Sequence, residues 1–214
     1  MKDQPEINSS NDSNRNNHNH NHNPLRFLDT IDEHKHIVLF YENPESGRMI
    51  QFRFLKNGLL NGQVGIYSTH KETDISLIEN EMTTSGLDID EFKKKKLLYF
   101  RQVPDPRNYR EGSVIAYDKI VNDILTELKD TSVFHIVLRV MPEVMKEDQI
   151  VDELDVERTL HSTFGSFGGS LLCSYSVEEI EPRKRGKWIA ELLQNHHAAI
   201  FIPKSGDGIA FNLE

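Results

Sequence analysis

The chain has 214 residues, 37% hydrophobic and 28% charged, a balance that suits one soluble domain with a proper core. Its formal charge, 25 basic minus 34 acidic residues or −9, argues against broad nucleic-acid binding through phosphate contacts. No apolar run nears the roughly 20 residues that span a bilayer, the N-terminus is too polar for a secretory signal, and the single cysteine, Cys173, excludes an intrachain disulfide framework and fits a reducing cytoplasm.

Residues 1–24 are almost free of large apolar side chains and rich in Asn, Ser and His. Such a stretch cannot bury enough surface to offset its ordering entropy, so it reads as a disordered tail ahead of one domain, 25–214. His18, His20 and His22 alternate near its end and could chelate a soft divalent metal; a solvated low-complexity tail is the plainer account.

After a short lead-in over Leu25–Thr30, the run from His36 to Thr69 reads strand, tight loop, helix, strand. His36–Tyr41 has the pattern of a strand buried on both faces. Asn43-Pro44 caps and opens a helix to Asn57, with Met49, Ile50, Phe54 and Leu55 near one face and Gly58 as its left-handed stop. Gln63–Thr69 is the second strand. The intervening loop, ENPESGR, lacks the glycines and the lysine of a phosphate cradle.

Thr73 is the expected cap of a helix to Ser85 carrying Ile75, Leu77, Ile78 and Met82, with Gly86 beyond its end. Asp88–Lys96 reads as a short helical turn whose four lysines form a solvated face. Leu97–Val103 is a third strand, followed by the turn-rich PDPRNYREG. Ser113 to about Lys129 is the longest helix, and Val133–Val140 a central fourth strand. A helix from about Asp148 to Phe164 follows, then a fifth strand, Ser170–Ser176. Lys187–His196 is an amphipathic helix, and Ala198–Pro203 and Gly208–Leu213 form a terminal strand pair around SGDG. The alternation predicts an α/β fold: a mostly parallel sheet with helices on both faces and a C-terminal antiparallel pair.

A nucleotide hydrolase on this scaffold needs a glycine-rich loop with Lys and Ser/Thr, and an acid ending a later strand to hold Mg²⁺. The fourth strand ends near Arg139 instead, so no metal-nucleotide cofactor is expected. Cys173 lies inside a strand, where cysteine is usually a small hydrophobe, and His196 and His197 sit at a helix end, where they meet the dipole. His135 and His161 stand isolated in sequence, as structural residues, and no Cys/His cluster has zinc-site spacing. Fold geometry puts ligands beyond the strand carboxyl ends, near Tyr41, Glu42, Tyr109, Arg139 and Tyr175.

HIVLFYENPESGRMIQFRFLKNGLLNGQVGIYST, then LLYF, then LLCSYS with a following helix and NHHAAIF, resembles the MEDS family, sensory domains of methanogens and methylotrophs. These look like RecA/KaiC-type ATPase domains that have lost the phosphate-binding loop. The resemblance covers about residues 34–203. It implies a non-enzymatic sensory or regulatory role, with an unknown small-molecule ligand and Tyr41, Cys173 and Tyr175 at positions matching the family pattern. His196 matches a histidine that the family usually follows with Pro; here His197 follows. The resemblance also implies a separate output partner, a kinase, a transcription regulator or a KaiC-like ATPase, and leaves room for a homo-oligomer. Two other readings stand beside it: a divergent KaiC-like nucleotide-binding ATPase, and an interaction module pairing with an active one.

Overall fold

The computed structural model describes residues 23–31, 34–70, 73–103, 110–127, 134–138 and 147–213. Helix α1 (Pro24–Thr30) is capped by the Asn23 side chain, and Pro24, expected in the tail, is buried at the start of this helix. Strand β1 spans His36–Tyr41 and is buried along its whole length, as its composition predicts. Helix α2 (Pro44–Leu60) starts where Asn43 accepts from Glu45 N–H and Pro44 needs no partner. It then runs three residues past the expected end. Gly58 sits inside it, and the left-handed residue is Gly62, with φ +75°. The buried stripe is Gly47, Ile50, Gln51, Phe54, Leu55, Gly58 and Leu59, at helical spacing. Met49 falls beside that stripe and is 44% exposed, not part of the core.

Strand β2 (Val64–His70) leads to α3 (Ile75–Thr84), α4 (Ile89–Lys94) and β3 (Leu98–Val103). Asp74, not Thr73, caps α3; the Thr73 hydroxyl is engaged with that of Thr69. Ile78 and Met82 are buried while Leu77 is exposed, so α3 covers the sheet with a narrow stripe. Helix α5 (Ser113–Glu127), β4 (Phe134–Leu138), α6 (Glu147–Thr163), β5 (Gly169–Ser176), α7 (Arg185–Gln194), β6 (Ala198–Ile202) and β7 (Ile209–Asn212) complete the described chain. Among the described residues no helix is long and apolar enough to cross a membrane.

One sheet runs β3-β2-β4-β5-β1-β6-β7. All neighbours are parallel except β6 and β7, which pair antiparallel. β4 lies inside the sheet, between β2 and β5, as its weak alternation predicts. β5 separates β1 from β4, so the carboxyl ends of the first and fourth strands are not adjacent. Alternation along β1 splits the interior. Ile37, Leu39 and Tyr41 face α1 and α2, whereas Val38 and Phe40 face α6 and α7. Leu171 and Cys173 project to the α5–α6 face, and Leu172 to the α2 face.

Candidate functional site

Among the described residues, a group of polar side chains converges on the α6–α7 face, beside the start of β1. His36 is the first residue of that strand. Its backbone is clasped by His197: the His36 N–H donates to His197 Nδ1 at 2.9 Å, and the His197 N–H donates to the His36 carbonyl at 2.8 Å. His36 therefore faces inward with Val38 and Phe40. Cys173 comes from β5, in register with Val38. His196 follows the C-cap of α7, and Glu157 sits on the inner stripe of α6 with Val156 and Leu160, just ahead of the buried Phe164.

His36 Nε2 lies 3.2 Å from Glu157 Oε2 and 3.4 Å from Cys173 Sγ. His196 Nε2 lies 3.4 Å from the same carboxyl oxygen. The imidazoles of His36 and His196 approach to 3.9 Å between centroids, and Phe164 stacks on His36 at 5.2 Å. All four residues are buried, His36 completely and His196 to 1% exposure. The His196 Nδ1–H donates to the Leu192 carbonyl at 2.6 Å; since a carbonyl only accepts, Nε2 keeps its lone pair and turns it toward Glu157. The Tyr175 hydroxyl donates to Glu157 Oε1. Among the described residues, neither Glu157 Oε2 nor His196 Nε2 has a hydrogen-bond partner.

Burial sets the charges. It holds the His36 imidazole well below its ordinary pKa, with His161 and His197 adding to the effect. It pulls His196 down to about 3, with His36 adding and Glu157 opposing. It pushes the Cys173 thiol up, reinforced by Glu157, and the Tyr175 phenol up, reinforced by Glu153 and Glu157. At neutral pH the two imidazoles and the thiol are thus uncharged, and the short His–Glu157 contacts are not ion pairs. A buried neutral thiol is a poor nucleophile.

The sequence-derived candidates divide between the two faces. Cys173, Tyr175 and His196 come together here, although sequence position alone makes His196 a helix-end residue and Cys173 a small hydrophobe. Tyr41 is on the opposite face, 4% exposed, its ring pressed against Gly47: a Cβ there would lie 2.7 Å from Tyr41 Cγ. Glu42 accepts from the Lys204 N–H at 3.0 Å and ties the end of β1 to the turn after β6. Tyr109, Arg139, His18, His20 and His22 lie outside the described residues. Sequence reasoning missed His36 and Glu157. Each left a signal: a histidine opening a strand buried on both faces, and a carboxylate on the apolar stripe of a helix.

The profile described as the methanogen/methylotroph, DcmR sensory domain (MEDS) matches residues 35–197, a span that begins one residue before His36 and ends one after His196. The chain belongs to the MEDS family. A KaiC-like protein from the hyperthermophilic archaeon Pyrococcus horikoshii shares the fold, with a TM-score of 0.58 at 14% identity, over 81% of this chain and 73% of that one. No curated protein matches at a significant level. The MEDS domain here thus shares its fold with that KaiC-like protein, and its family is described as a sensory domain.

Proposed function

We propose that this MEDS domain is a non-enzymatic sensory module of a cytoplasmic signalling pathway. It binds a small-molecule signal and passes its state to a separate output protein, a kinase, transcription regulator or KaiC-like partner. The observation that carries this reading is the buried group of two imidazoles, a thiol and a carboxylate, an expensive set of donors to place in a core unless something is held there.

The competing reading, nucleotide binding, gains nothing from the segment after β1. Asn43 is spent as a helix cap, Gly47 packs on Tyr41, Arg48 pairs with Glu81 at 2.5 Å, and there is no lysine between Glu42 and Arg48. A ligand of the native state raises stability with the logarithm of its concentration over Kd. Millimolar Mg-ATP or Mg-GTP is therefore expected to leave the thermal unfolding midpoint unchanged. A saturable rise in that midpoint would overturn the non-enzymatic reading and restore an ATPase-like one.

A further inference from the structure

We propose that His36, Glu157, Cys173 and His196 form a four-ligand site for a thiophilic divalent cation of zinc's class. The inference rests on reading this group as a binding site, not on the sensory role, so a nucleotide effect on stability would leave it standing.

One ligand atom from each residue lies within 4.8 Å of the others. Ligands about 2.0–2.3 Å from a tetrahedral ion are separated from one another by roughly 3.3–3.8 Å. Three of the six separations, 3.2 Å for His36–Glu157, 3.4 Å for His36–Cys173 and 3.4 Å for His196–Glu157, are close to that edge length, and the other three are within 4.8 Å. Two of these atoms, Glu157 Oε2 and His196 Nε2, are buried and without hydrogen-bond partners among the described residues, and both lie in the shared space. Outer partners orient the ligands as they do around metal centres: the Leu192 carbonyl sets the His196 tautomer, and the Tyr175 hydroxyl holds the other oxygen of Glu157.

The donor set selects the ion. One sulfur, two imidazole nitrogens and one carboxylate oxygen suit zinc and its neighbours, whereas magnesium and calcium want oxygen throughout. Charge closes too. Binding releases the Cys173 thiol proton to solvent, so thiolate and carboxylate supply two negative charges against the cation's two positive ones.

Cobalt(II) is the probe. The full-length chain carrying His18→Asn, His20→Asn and His22→Asn, so that the tail cannot chelate, is exposed to cobalt under reducing conditions, both directly and during refolding. One equivalent is expected to bind, with a thiolate-to-cobalt charge-transfer band and intense tetrahedral ligand-field bands, all displaced by zinc. Cys173 is the chain's single cysteine, so the charge-transfer band has only one source. Cys173→Ser should abolish it, and Tyr175→Phe should weaken affinity on the order of 10–100-fold while keeping the band. No thiolate band by either route overturns the proposal, as does cobalt bound only when the tail histidines are intact. A band that survives in Cys173→Ser does the same. Should Cys173→Ser fail to fold, the spectrum of the tail-substituted chain decides alone.

Discussion

His135, on β4, is pressed under α2, where its ring tilts against Phe54 at 5.0 Å. Burial lowers its pKa to about 4, so the folded protein keeps it neutral while the unfolded chain protonates it near 6.5. A depressed histidine contributes stability that is intact above the unfolded pKa. Between pH 6.5 and 4 the unfolded state binds more protons, and stability falls as the pH falls through that window. The expected loss attributable to His135 is up to about 3 kcal/mol. Urea denaturation across the window, beside His135→Met, measures it: the variant should show the shallower dependence, and equal slopes would mean that His135 titrates normally in the fold.

At the scale of the element, α2 carries the argument. Glycine inside a helix usually costs about 1 kcal/mol relative to alanine, and Gly58 is tolerated for a reason beyond its own helix. A Cβ at Gly58 would lie 2.7 Å from His135 Nδ1 and 2.8 Å from its Cγ. The glycine lets α2 settle onto β4, which is also why it is not the stop that its residue type suggests. Gly58→Ala should therefore destabilise by about 1–3 kcal/mol, against the sign of helix propensity. Adding His135→Ala should recover part of the loss in Gly58→Ala, and the coupling in a double-mutant cycle reads the contact directly. An unchanged or higher melting temperature in Gly58→Ala would refute the contact.

The whole molecule is a sheet with different business on its two faces. Tyr41 fills the α2 side beside Gly47, and Cys173 joins the polar group beneath α6 and α7. The two residues lie three register positions apart, about 10 Å along the strands, and point to opposite faces. Tyr41→Ala should cost about 3–5 kcal/mol, as truncation of a buried aromatic does. Its effect should add to that of Cys173→Ser within about 0.5 kcal/mol in metal-free protein. Coupling well beyond that would show that the segment after β1 and the polar group communicate through the sheet.

Local chemistry decided what could be read early. The strand His36–Tyr41, the cap at Asn43, the turns at Gly86 and Gly206 and the α/β alternation all follow from residue type and spacing, because hydrophobic period, caps and left-handed glycines act within a few residues. The order of strands does not. That β5 lies between β1 and β4 depends on which apolar faces meet, and it separates the strand ends where a pocket was expected. The candidate site is the same case in miniature. His36, Glu157, Cys173 and His196 are spread over 160 positions of sequence with no metal-like spacing. They meet only because β1 and β5 are neighbours, α6 crosses their face, and α7 ends beside them. Their unusual neutrality has the same origin, since burial under two helices, and not residue type, sets it.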